Sequence, residues 1–168
     1  MTTETTAQLQ FVVLTGPQFE DAMSGDGAGN SHWLLSPRLK YYFRASALSR
    51  GPDTRVFFIC HEAEAKWDEE QHLTAKRPVG MLEIERYEHG LDNEYGMKYV
   101  TVLPEYQRRH IAAKLLRMLT HFLKTRDACL NRSMPTEEGE QKIQLYIDRL
   151  FEAHEVCWRQ GARSRNFK

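Results

Sequence analysis

Apolar and polar positions along the chain fall into alternating and helical patterns that divide it into strands and helices. Leu9 to Leu14 (LQFVVL) is apolar and rich in β-branched residues, a strand closed by Gly16-Pro17. Gln18 to Met23 is expected to form a helical turn, and Ser24 to Ser31 (SGDGAGNS) reads as a flexible loop. Ser36-Pro37 then supplies a capping serine and a proline at the first helical position. The helix they open repeats Leu39, Tyr42, Phe43, Ala47 and Leu48 near one face. Arg55 to Cys60 (RVFFIC) is a second strand, too apolar to be exposed on both faces. Val79 to Tyr87 (VGMLEIERY) is a third, and its alternation of Met81, Glu83 and Glu85 with Leu82 and Ile84 predicts one wet and one dry face.

The charged stretch from Glu62 to Lys76, with Trp67 its one apolar anchor, reads as an extended connection or a short exposed helix. Glu94 to Val102 makes a fourth strand, antiparallel to the third. A helix from about Gln107 to Phe122 carries Ile111, Leu115, Met118, Leu119 and Phe122 on one face. Asp127 to Arg132 is short enough for a fifth strand. Thr136 opens a last helix whose stripe runs through Ile143, Tyr146, Ile147, Leu150, Phe151, Cys157 and Trp158 and stops at Gly161. The order β-α-β-β-β-α-β-α, with antiparallel strands early and a crossover late, predicts an α/β (α+β-like) fold. A mixed sheet flanked by helices would splay where the fourth strand meets its helix. At 168 residues the chain suits one domain over 1–168, with residues 1–7 frayed.

Charge changes this picture more than composition does. The formal net charge is zero, which argues against a general nucleic-acid binder. Yet Glu62 to Glu94 holds ten acidic and four basic residues, and Lys98 to Arg132 holds eight basic and two acidic. A basic segment therefore follows an acidic one, which suits an anionic cofactor and a cationic acceptor. Cys60, Cys129 and Cys157 are widely spaced and lie in apolar runs, so they are expected as buried free thiols in a reducing compartment. No leader-like or membrane-spanning run is present, which makes the cytoplasm the expected location and leaves no role for a membrane. Cys60-His61 with His72 has no zinc-type spacing, so no metal site is expected.

The candidate chemistry sits at Tyr99 to Leu123. A β-rich run ends at Pro104, two arginines and a histidine occupy the turn, and a helix follows. Unpaired first-turn amides, the positive end of the helix and added cations favour a bound anion, typically phosphate. Val102-Leu103-Pro104 leads to Gln107-Arg108-Arg109-His110-Ile111-Ala112, and this arrangement resembles the GNAT superfamily of acyl-CoA-dependent N-acetyltransferases. The family motif is a strand ending in V-x-P, then Q/R-x-x-G-x-G/A opening a helix. His110 stands where that motif has its first glycine. A position requiring positive φ would strain histidine by about 1–2 kcal/mol relative to glycine.

The resemblance implies acetyl-CoA as cofactor, with Val102 and Leu103 along the pantetheine arm. Arg108, Arg109, His110, Ile111, Ala112 and Ala113 would cradle the pyrophosphate through their amides behind Gln107. Lys114 and Arg117 would either reach the adenosine phosphate or form a solvated face. Asn131 and Ser133 could hydrogen-bond the cofactor arm or be ordinary loop polar residues. The family often places a catalytic glutamate on the fourth strand. Glu94 is the carboxylate nearest that position, and Glu83 or Glu85 on the neighbouring strand could act through water. Tyr146 matches the tyrosine that protonates the departing thiolate, although it also lies on the expected buried stripe. The expected activity is acetyl transfer to a primary amine of a small molecule or a protein, by direct attack. The alternative is a catalytically weak or inactive member that binds and modulates a protein partner.

Overall fold

The computed structural model describes residues 8–24, 33, 35–45, 52–66, 74–86, 93–132, 146–154 and 158–160. In chain order these form β1 (Leu9–Thr15), α1 (Gly16–Ser24), α2 (Pro37–Ala45), β2 (Arg55–Lys66), β3 (Thr74–Arg86) and β4 (Glu94–Val102). A 3₁₀ turn (Pro104–Tyr106), α3 (Ile111–Thr125) and β5 (Cys129–Arg132) follow. A helix over 146–153, here α4, and β6 (Trp158–Gln160) complete the set. The strands make one mixed sheet in the order β1-β2-β3-β4-β5-β6. Its first four strands are antiparallel, and β5 and β6 add in parallel.

Both faces of the central strands are covered. On one face Phe58, Leu82 and Ile84 are fully buried, with Leu115, Leu119 and Leu123 of α3 in the same core cluster; Phe58 meets Phe122 edge-on at 5.5 Å. On the other, Phe19 of α1 stacks on Phe57 at 4.3 Å and meets Phe43 of α2 edge-on at 5.1 Å. The expected wet face of β3 is therefore dry: Met81 and Glu83 are fully buried and Glu85 nearly so. Two-residue alternation reports that the faces differ, but α1 and α2 decide which of them meets water.

Four other expectations change. The acidic connection after Glu62 is in part strand, because β2 runs to Lys66 and β3 starts at Thr74; Trp67 and His72 lie outside the described residues. Trp158 belongs to β6, beside β5, and is not part of the last helix. Tyr146 is 37% exposed while Ile147 and Phe151 are buried, so it stands off the apolar stripe. A one-residue shift at the start of a helix turns a side chain by about 100°. Cys60 is a buried free thiol, pushed up to about 11 by burial. Cys129 is disulfide-bonded to a partner outside the described residues, so the free-thiol argument for a reducing compartment holds only for Cys60. Cys157, Ser133 and residues 1–7 also lie outside the described residues.

Candidate functional site

The site is built by one strand that loses a neighbour. β4 pairs with β5 over Glu94 to Gly96 alone, while its pairing with β3 continues to Val102. Among the described residues no strand lies beside β4 past Gly96 on that side, and the Val102 carbonyl there accepts a 3.4 Å hydrogen bond from Gln107 Nε2. The register also slips there. Glu83 faces Tyr99 and Ile84 faces Met97, leaving Lys98 as the extra residue of a bulge. A bulge bends its strand and sharpens the local twist. Lys98 turns its ammonium onto Glu85 at 2.9 Å.

Beyond the open edge the chain turns into α3. Leu103 is buried and donates its N–H to the Val79 carbonyl at 2.8 Å, anchoring the turn to β3. Side chains fasten it further. Tyr106 donates a hydrogen bond to Glu62 on β2, and Arg77 pairs with Glu105 at 3.5 Å. Burial and then this bond to Glu62 push the Tyr106 hydroxyl up to about 12. The acidic and basic segments touch here through Glu62 with Tyr106 and Arg77 with Glu105.

Helix α3 begins at Ile111, later than its apolar pattern implied, because residues 107–110 form the turn itself. His110 caps the helix in the left-handed region, with φ 59° and ψ 22°, and its side chain makes no capping bond. Arg108 is left-handed too, at φ 66°. Histidine therefore occupies a glycine-type conformation, which it enters more readily than β-branched residues do. The first helical bond runs from Lys114 N–H to the His110 carbonyl at 3.0 Å. The amides of Ile111, Ala112 and Ala113 precede it and have no intrahelical acceptor. Gly80 lets the helix start come this close: a Cβ there would lie 2.8 Å from Ile111 Cγ2.

A cleft of about 450 Å³ opens between this helix start and the free strand edge. Gln107, Arg108, His110 and Ile111 to Ala113 form one wall, and Val100 to Val102 another. The third wall was not anticipated: Arg38 and Tyr42 of α2 close it. The signal for them was available, since both lie on the predicted helix, but no pattern tells which helix roofs a cleft. Leu103 and Arg109 do not line it; Arg109 rests its guanidinium 5.0 Å from the centre of the Tyr106 ring. The cleft thus offers the first-turn amides of α3 and Arg108 at one end and the edge of β4 along its side. Those donors suit a phosphate-bearing chain with amide groups behind it.

The carboxylates stand elsewhere. Glu94 accepts a 2.7 Å hydrogen bond from Asn131 Nδ2, tying β4 to β5 where their pairing ends. Neither residue lines the cleft. Glu83 is fully buried, directly across from Tyr99, whose ring lies 5.4 Å from that of Tyr42 on the cleft wall. Burial, with the Glu83 charge behind it, holds the Tyr99 hydroxyl far above the ordinary tyrosine range. Arg55, also buried, is within electrostatic range of both and is clamped by Asp53 at 2.7 and 2.9 Å and by Glu20 at 3.0 Å. The Arg55 hydrogen bonds in turn hold the Asp53 carboxyl below the usual carboxylate range. Tyr146 does not line the cleft.

Residues 30–150 match the family model described as the acetyltransferase (GNAT) family. Comparison with the curated proteins gives no match. Among solved structures, ribosomal-protein-alanine N-acetyltransferase from Brucella melitensis is similar with a TM-score of 0.50 and 15% identity, over 96% of this chain and 99% of that one. Aminoglycoside antibiotic 6'-N-acetyltransferase AAC(6')-Ih from Acinetobacter baumannii follows with a TM-score of 0.42 and 15% identity, over 96% and 97%. AAC(6')-Iy, in complex with the bisubstrate analog CoA-S-monomethyl-acetylneamine, has a TM-score of 0.45 and 12% identity, over 96% and 98%. At 15% identity the likeness to the Brucella melitensis structure is one of fold.

Proposed function

Because the chain belongs to the acetyltransferase (GNAT) family, we propose that it transfers the acetyl group of acetyl-CoA to a primary amine by direct attack. The observation that carries this reading is the cleft between the free edge of β4 and the start of α3. Three first-turn amides, a left-handed His110 and Arg108 converge there, which is the chemistry a pyrophosphate requires. Bound there, acetyl-CoA supplies a thioester whose carbonyl accepts the amine while the C–S bond breaks. Gln107, Arg108 and the amides of 110–113 would hold its pyrophosphate, and the backbone of Val100 to Val102 would hold its arm. His110 keeps its N–H, so the histidine leaves the amide cradle intact and adds only local strain. Leu103 and Arg109 act through the turn: one pins it to β3 and the other covers Tyr106.

An ammonium must lose its proton before it attacks. Of the two carboxylates the sequence offers, Glu83 is favoured over Glu94, since it lies behind the cleft wall beneath Tyr99 and Tyr42, whereas Glu94 is engaged with Asn131. The amine proton would pass to Glu83 through the Tyr99 hydroxyl or through water. On the family resemblance Tyr146 would protonate the departing thiolate, although it is exposed and outside the cleft lining. The acceptor is an amine on a small molecule or a protein.

One observation favours a second reading, a family member that binds without efficient turnover: no carboxylate lines the cleft among the described residues. Two measurements separate the readings. Acetyl-CoA at about 100 times its dissociation constant should stabilise the protein by about 2.7 kcal/mol, a rise in Tm of roughly 5–10 °C for this size. Thiol release with a panel of amines should accompany it. No shift at millimolar acetyl-CoA overturns both readings, and a shift without thiol release selects the second.

A further inference from the structure

A second concavity, of about 740 Å³, lies along the opposite flank of α3, between that helix and β1. Its floor is apolar, made by Val13, Met118 and Phe122, and Val13 is 40% exposed. Its rim is basic: Lys114, Arg117 and Arg126 line it together with His121, and no aspartate or glutamate does so among the described residues. Two of these cations are held in place by rings. Lys114 Nζ sits 4.1 Å from the Phe11 ring centre, and the Arg126 guanidinium 3.8 Å from that of Phe122. Arg117 donates Nε–H to the Ala113 carbonyl at 3.4 Å. The positive row is therefore ordered along the groove, in contrast to cations swinging freely on a solvated face.

The other side of the groove is an open strand. β1 ends the sheet, and no strand pairs with its outer edge among the described residues. Such an edge offers backbone donors and acceptors to an added strand. Along the helix Lys114 and Arg117 are about 4.5 Å apart, and Arg117 and Arg126 about 13.5 Å. Alternate side chains of an extended peptide recur every ~6.7 Å. The Arg117–Arg126 separation is about two such repeats, so acidic side chains four positions apart can meet both arginines, while the apolar residues between them turn to the opposite face, onto Val13 and Met118.

We propose that the groove between β1 and α3 docks an extended acidic segment of a partner protein, with acidic and apolar residues alternating. This surface is separate from the cleft at the start of α3, and the proposal stands whether or not the chain turns over acetyl-CoA.

The test uses the full chain and a fluorescein-labelled ten-residue peptide of alternating Glu and Val, followed by anisotropy at low salt. Saturable binding is expected, weakened at least tenfold by Arg117→Glu with Arg126→Glu, by Val13→Glu, and by 0.3 M NaCl. A Lys/Val peptide should not bind. Saturating acetyl-CoA should leave the peptide affinity within twofold. Absent binding, or equal binding by the charge-reversed variants, overturns the proposal. So does displacement by acetyl-CoA, which would make the groove an extension of the cofactor cleft. Tighter binding of a duplex DNA or of anionic phospholipid vesicles overturns it in favour of those ligands. Circular dichroism and Tm of each variant show that lost binding is not lost folding.

Discussion

Glu83 and Tyr99 face each other across β3 and β4, beside the bulge at Lys98, with Glu83 fully buried and the Tyr99 hydroxyl shielded from water. The pair lies under Tyr42, a wall of the cleft, and near the clamped Arg55. A carboxylate held so deep is stabilised by its neighbours, because an isolated buried charge would be far too costly. On the proposed mechanism, Glu83→Gln should lower thiol release at pH 7 by at least 100-fold. Its acetyl-CoA-induced melting shift should match the parent's. Glu94→Gln should change turnover less than tenfold, since its loss affects mainly the bond to Asn131. Equal damage from both variants would refute the assignment of the proton acceptor.

His110 tests the backbone directly. Its left-handed conformation predicts that His110→Gly is close to neutral in stability: relief of about 1 kcal/mol of strain is offset by the greater freedom of glycine in the unfolded chain. His110→Val should lose about 1–2 kcal/mol relative to glycine, or roughly 3–6 °C in Tm. Both effects are read by thermal melting. If acetyl-CoA is held by the amides, the glycine variant should bind it with an affinity within a few-fold of the parent's. A large loss would mean that the imidazole itself makes the contact.

Gly80 controls how near the start of α3 comes to the sheet. Gly80→Ala should force the 2.8 Å contact with Ile111 Cγ2 apart, at about 1–3 kcal/mol for overpacking. It should weaken acetyl-CoA binding more than an equally destabilising change elsewhere. Ile111→Ala removes the clashing methyl, so the double variant should be less impaired than the sum of the single ones. Simple additivity, measured by melting and isothermal titration, would count against this contact as the cause.

The pH dependence has two arms with opposite signs. Burial lowers the pKa of His61, whose Nδ1 lies 2.8 Å from the Glu62 carbonyl. The unfolded chain then takes up a proton near pH 6.5 before the folded one does. Stability should therefore fall as pH drops from about 7 through 6, and His61→Asn should flatten that slope. Tyr106 behaves in the reverse sense, its folded value being about 12 against 10 unfolded. Its contribution is complete below pH 10 and is lost as pH rises toward 12. Tyr106→Phe should remove that alkaline loss, as followed by Tm, and should loosen the turn that Glu62 holds.

Local chemistry made much of this protein legible before its fold was known. Pro104 with the apolar period of α3 located the strand–turn–helix unit, because proline and 3.6-residue periodicity are properties of short stretches. The substitution of His110 for glycine likewise marked a backbone position whose conformation could be anticipated, and it is left-handed. What lies across the sheet was not legible. Whether Glu83 is wet depends on α1 and α2, whose approach is set by Phe19, Phe43 and Phe57 packing together. Arg38 and Tyr42 enter the cleft for the same reason, more than sixty positions before Gln107 in the chain. The free edge of β4 arises from where β5 stops pairing and where Lys98 bulges, choices of register that no single strand records. Local sequence thus determined the helix start that can hold an anion, while long-range packing alone decided which strands, rings and buried charges surround it.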